Sequence, residues 1–228
     1  MEQVKEMHIR KDVRRIIIER ALDLFSEKGI KEVKMDYIAS DLSISKRTIY
    51  EQFTDKEQLL LETLKLHNKR MQLEAKKRIR KANNVLDIVL TLYTLYFESL
   101  KQINIKFFKE LEKYPTIRKL HEIKNHSNDK KFLAWMEAGR EQGLFREDSN
   151  FEILLFILRR DLETIFSANL KNENNELSRY TAEELGQTLI LSYLRGISTI
   201  KGQEIIEEYI KRQNNEIINN NYESEDEI

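Results

Sequence analysis

Residues 35–53 read MDYIASDLSISKRTIYEQF, two short helical patterns joined by a tight polar turn. In the first, Met35, Ile38, Ala39 and Leu42 recur at helical spacing. In the second, Ile49 and Phe53 form an apolar face four residues apart. Ser45 is placed to cap the second helix, since its hydroxyl can accept an orphan backbone N–H. Lys46, Arg47, Thr48 and Tyr50 then fall in the first turn and a half of that helix. A helix-turn-helix presents its recognition helix in this way, with N-terminal side chains in the major groove and flanking groups on phosphates. Short helix pairs with a polar turn also serve plain core packing. The Lys-Arg-Thr-x-Tyr cluster, followed by Phe53 and Lys56, favours DNA.

The run IASDLSISKRTIYEQFTDKEQLL, residues 38–60, resembles the DNA-binding segment of the TetR family of one-component regulators. The resemblance is carried by Ile38-Ala39, the Ile44-Ser45 turn, Thr48-Ile49-Tyr50, Phe53, and Lys56 with Leu59-Leu60. The preceding helix adds Ile16-Ile17, Ala21, Leu24-Phe25 and Gly29-Ile30. Together these cover residues 12–62; beyond them the likeness is one of length and helical character. Ser43 stands where the family usually has glycine, which costs about 1 kcal/mol if φ is positive there. Val33-Lys34 stands where it usually has a threonine pair, so Lys34 would replace a phosphate contact. The expected DNA-binding residues are Lys34, Ser45, Lys46, Arg47, Thr48, Tyr50 and Lys56. Arg47 is expected to read base edges, and Lys46, Tyr50 and Lys56 to hold phosphates.

Composition limits what the rest can be. The chain has 228 residues, one proline, six glycines and no cysteine, and 40% of it is hydrophobic. So few turn residues argue against a sheet-rich fold. The absence of cysteine excludes disulfides and thiolate metal sites. No apolar run approaches the ~20 residues that span a bilayer, so no membrane partner is expected and a cytoplasmic location is. Lys+Arg and Asp+Glu are both 39, so no global field draws the chain to DNA. The run 65–81 is strongly basic, with Glu74 its single acid, and reads as a solvated helix face.

Breaks in the helical pattern give an all-α organisation. Residues 1–54 form a helix-turn-helix head, its first helix running from about 10 and stopping at Gly29. Residues 55–84 are a connecting helix capped at Thr54-Asp55, the natural lever between head and remainder. Residues 85–218 form an antiparallel helical domain for ligand binding and dimerisation, and the acidic stretch 219–228 is expected as a disordered tail. Within 85–218, helices are expected at 85–101, 103–113, 116–141, 151–170, 181–200 and 203–218. Ser149 is a candidate cap, Thr181–Glu184 a capping box, and KNENNELS, residues 171–178, a polar loop.

The wide apolar faces of 151–170 and 181–200 suggest a homodimer. The TetR resemblance implies the same, through a four-helix interface, and a helix-turn-helix works best in duplicate. Aromatic residues concentrate in the regulatory helices. Tyr93, Tyr96, Phe97, Phe108, Phe132, Trp135 and Phe156 are the candidates for lining an effector pocket between 85–101, 116–141 and 151–170; any one of them can instead be core.

No phosphate loop, HExxH motif or cysteine nucleophile is present, and no catalytic residue or cofactor is expected. His121 and His126, with Glu122, form a weak metal pattern, and no metal site is expected. The chain reads as a ligand-responsive DNA-binding regulator, a repressor released from its operator by a small apolar effector. The alternative is a DNA-bound structural or division-linked factor controlled by a protein partner.

Overall fold

The computed structural model describes residues 2–101, 103, 105–111, 113–169 and 179–225. Among them lie ten helices: α1 (Glu2–Lys28), α2 (Met35–Asp41), α3 (Lys46–Gln52), α4 (Lys56–Ile79), α5 (Val85–Lys101), α6 (Ile105–Leu111), α7 (Pro115–Glu141), α8 (Phe151–Asn169), α9 (Ala182–Ile197) and α10 (Ile200–Glu225). An isolated antiparallel bridge pairs Phe145 with Ser198. The fold is all-α. No helix among the described residues is long and apolar enough to cross a membrane. Helix α1 begins well before residue 10, and α10 continues into the stretch expected as a disordered tail. Residues 171–178, the expected polar loop, lie outside the described residues, as do the side chains of His121, Glu122 and His126.

The chain divides into two compact units, Met1–Lys76 with Glu98–Lys124, and Lys77–Phe97 with Asn125–Ile228. Helices α4, α5 and α7 therefore each contribute to both. The sequence pattern expects divisions at 54 and 84; the first compact unit also takes in α6 and the start of α7. The reason is apolar burial: Phe107 and Ile117 share a core with Ile17, Leu24, Phe25, Ile38, Ile49, Phe53, Leu59 and Leu60. Each buried side chain of this size contributes roughly 1.5–3 kcal/mol.

In the first unit, α1 stops where Gly29 takes φ +84°, its N–H donating to the Phe25 carbonyl at 3.0 Å. The Lys31 N–H beyond it donates to Glu110 Oε2 at 2.7 Å. Arg20 grips Asp41 with two hydrogen bonds of 2.6 and 3.1 Å, tying α1 to α2. The Arg14 guanidinium lies 4.2 Å over the Phe53 ring and donates to the Gln52 carbonyl at 2.5 Å, satisfying an acceptor at the end of α3.

In the second unit, Val85, Leu86, Leu90, Met136, Leu144, Phe145, Phe151, Leu194 and Ile206 form the core. Helix α7 ends at Gly143, φ +70°, with Gly143 N donating to Arg140 O at 2.8 Å and Leu144 N to Gly139 O at 2.9 Å. That pair of bonds is a Schellman motif, which favours glycine at the left-handed position. The bridge is extended by Arg146 N to Ile197 O at 2.8 Å and Thr199 N to Leu144 O at 3.0 Å. Helix α8 is capped by Asn150, whose Oδ1 accepts from Ile153 N at 3.0 Å, rather than by Ser149; the Asn150 side chain is the one that reaches the first-turn N–H groups. The capping box of α9 is present: Glu184 N donates to Thr181 Oγ1 at 3.1 Å and Thr181 N to Glu184 Oε2 at 2.7 Å.

Candidate nucleic-acid interface and regulatory cavity

The turn between α2 and α3 follows from its backbone. Leu42 closes α2, Ser43 takes φ 55°, Ser43 N donates to Ser40 O at 3.0 Å and Ile44 N to Ala39 O at 2.9 Å. This is the Schellman pattern again, with a serine in the left-handed position. Ile44 is thereby returned to the core. Ser45 then starts α3 with extended backbone, and its Oγ accepts the Thr48 N–H at 3.0 Å. Ser45 Oγ also shares a hydrogen bond with Thr48 Oγ1 at 2.8 Å. The hydroxyls of Ser45 and Thr48 are thus engaged with each other and with the start of the helix.

One face of α3 is buried through Ile49, and the other displays Lys46, Arg47 and Tyr50, the last 50% exposed. Both cations have acidic partners. Lys46 Nζ pairs with Asp36, and Arg47 Nε with Glu51 Oε1 at 2.7 Å, four residues along the same helix. Hydrogen bonding to these carboxylates raises the pKa of each cation. Exposed pairs of this kind are weak, so phosphates or bases exchange with them at little cost. Lys34 is exposed at the N-cap of α2, where its side chain makes no capping bond.

Lys56 is placed differently from its neighbours. It is half-buried, with Nζ 5.9 Å from the Phe25 ring centroid. Burial pushes its pKa down, against the attraction of Glu110 and Glu32. At the start of α4, Gln58 N already donates to Asp55 Oδ1 at 2.8 Å. The structure thus groups Lys46, Arg47 and Tyr50 on one exposed surface and turns Lys56 inward, because its methylene stem covers apolar surface.

The second unit holds a cavity of about 230 Å³ between α5, α7, α8 and α9. Of the aromatic residues singled out from sequence, Tyr93, Tyr96, Phe132 and Trp135 line it. Phe97 does not: it is buried behind Tyr93, with ring centroids 4.6 Å apart. Phe156 is 68% exposed on the outer side of α8. Phe108 belongs to α6, in the first unit, and its side chain lies outside the described residues. Sequence reading missed α9, which contributes Ile190, Tyr193, Leu194 and Ile197. The sequence reading expects its apolar face to dimerise; the signal for a second role is that this face is too wide for one neighbour. Tyr193 donates to Asp161 Oδ2 at 2.8 Å. The Tyr93 hydroxyl is buried without a protein partner among the described residues, and burial pushes its pKa well above the ordinary phenol value.

No group of three or more His, Asp or Glu side chains among the described residues could hold a metal ion. Comparison with curated proteins gave no match. Residues 17–63 match the family of bacterial regulatory proteins of the tetR type. Among solved structures, a transcriptional regulator from Saccharomonospora viridis in complex with choline is similar, with a TM-score of 0.69 and 21% identity over 83% of this chain and 99% of that one. The ketosteroid transcriptional regulator KstR2 of Mycobacterium tuberculosis gives 0.56 and 22%, over 82% and 95%. The fatty acid degradation regulator FadR from Bacillus halodurans gives 0.59 and 17%, over 80% and 94%. At such identities these likenesses establish the fold, and the match over α1 to α4 establishes the kind of head it carries. Residues 17–63 thus form a DNA-binding head of the tetR type, and the chain that carries it is a DNA-binding transcriptional regulator.

Proposed function

We propose that the chain is a homodimeric repressor that leaves its operator when a small apolar molecule occupies the cavity of the second unit. The observation that carries this reading is the cavity of about 230 Å³ walled by four helices. Two of them, α5 and α7, also contribute residues to the unit that contains α3. A ligand that favours one arrangement of those helices biases the head, typically by 1–3 kcal/mol of coupling. The structures of regulators bearing choline, or named for ketosteroid and fatty acid, make small molecules a reasonable effector class.

DNA contact is assigned to Lys46, Arg47 and Tyr50, with Lys34 on a flanking phosphate. Ser45 and Thr48 set the start of α3, and Lys56 supports the head. Dimerisation is assigned to the outer face of α8, where Ile153, Phe156 and Ile157 are exposed. A contiguous apolar surface of this kind marks an interaction site. The alternative, control by a protein partner, calls for a filled regulatory core, and the cavity favours the small molecule over it.

The test begins with genome-wide mapping of bound DNA, which supplies the operator. Sedimentation with that duplex should give two chains per site. A compound that perturbs Trp135 fluorescence should weaken operator binding. Compounds that occupy the cavity and leave operator affinity unchanged would defeat the release mechanism.

A further inference from the structure

We infer that the ligand this cavity selects is an uncharged, largely hydrocarbon molecule of roughly nine to eleven heavy atoms, bearing one group that hydrogen-bonds to the Tyr93 hydroxyl. This rests on the effector reading above and specifies its chemistry.

Size comes from the volume. An apolar cavity of about 150 Å³ takes a benzene ring, and this one is about 230 Å³. Charge comes from the lining. Aliphatic and aromatic side chains form it, and among the described residues no Lys, Arg, His, Asp or Glu lines it. The carboxylate behind the wall, Asp161, already accepts the Tyr193 hydroxyl. An anion entering here would lose its hydration and meet no cation. A cation would gain the faces of Trp135 and the tyrosines and the field of Glu183, which acts on the Tyr93 hydroxyl from outside the lining, but this attraction does not replace hydration without a carboxylate in contact.

Polarity comes from Tyr93. Its hydroxyl is buried and lacks a protein partner among the described residues. Burial holds the phenol neutral, so its proton is available to donate. The ring is held by Phe97, whose own position is set by close approach to Gly186. A buried hydroxyl left unpaired is costly, so a ligand oxygen that accepts from it gains more than the same oxygen would in water.

The experiment titrates the full-length protein at neutral pH with three probes of matched length, 1-decanol, decanoate and decylammonium. Binding is read from Trp135, the one tryptophan in the chain, and from thermal shift. Decanol should bind at least ~10-fold more tightly than either ion. Tyr93→Phe should weaken decanol ~5–10-fold and leave the ligand-free protein melting no lower than the parent, since it removes only the unpaired hydroxyl. Either ion binding as tightly as decanol, or decanol affinity unchanged in Tyr93→Phe, overturns the inference and leaves the effector reading standing. Failure of all three to bind the folded protein overturns both.

Discussion

The Phe97 ring lies so close to Gly186 that a β-carbon built on the glycine would stand 2.1 Å from its Cε1 and Cζ. Helices α5 and α9 meet at this point, and Phe97 in turn backs the Tyr93 ring. Gly186→Ala should therefore force Phe97 toward the cavity wall and destabilise the protein by about 1–3 kcal/mol, the usual cost of overpacking. Trimming the ring in the double variant Gly186→Ala/Phe97→Leu should recover part of that loss, because the two residues share one contact. Urea denaturation of the parent and the three variants measures the coupling. Strict additivity would show that the close approach has no energetic consequence.

Ser43 occupies in the head the backbone position that Gly143 occupies at the end of α7, both at positive φ within the same hydrogen-bond pattern. A side chain in the left-handed region costs about 1–2 kcal/mol, offset in part by the greater chain entropy that glycine loses on folding. Ser43→Gly is expected to stabilise the head by about 0.5–1 kcal/mol. A melting temperature that falls would show that the Ser43 side chain contributes something beyond the turn.

Arg47→Ala should reduce operator affinity by about 1–3 kcal/mol if the guanidinium exchanges Glu51 for a base edge. Lys46→Ala should weaken binding on all sequences and reduce the salt slope by about one unit. Half-buried Lys56 should behave otherwise, its substitution changing thermal stability more than the salt slope. Titrating a fluorescent duplex at several salt concentrations separates the three effects, and a salt slope that drops equally in the Lys46 and Lys56 variants would contradict the separation.

Phe156→Glu places a charge in the middle of the exposed apolar surface of α8. It should yield a folded monomer with native helical content and no operator binding at micromolar concentration. The exposed position matters, since Leu191, on α9, packs partly against the core and a charge there would also unfold the second unit. Analytical ultracentrifugation gives the answer: a dimer that survives Phe156→Glu moves the interface elsewhere.

Asp41 supplies a pH signature for the head. Hydrogen bonding from Arg20 lowers its pKa below the ordinary 3.8. A carboxylate depressed in the folded state stabilises it above the unfolded pKa, and that contribution is lost as pH falls through the folded pKa. The parent should be more stable than Asp41→Asn near neutrality. The difference should close only below pH 3.8. A gap that stayed constant through acid would mean that the bond to Arg20 does not depend on charge.

The head was legible in the sequence because its information is local. Ser45 as a cap, Ile49 and Phe53 as a buried face, and Lys46, Arg47 and Tyr50 on the opposite side all follow from spacing along α3. The stop at Gly29 and the capping box at Thr181 and Glu184 are local too, each formed by residues within one turn of the next. What tertiary structure alone decided is which apolar surfaces meet. Tyr93, Tyr96 and Phe97 sit within one turn and a half of α5, yet the first two line the cavity and the third packs behind it. Phe156 carries the same chemistry as Phe132 and faces outward. Lys56 reads as a surface cation and is drawn inward beside Phe25. In each case the outcome depends on the rotation of one helix against others far away in the chain. Periodicity states that a face is apolar, and only packing states what covers it.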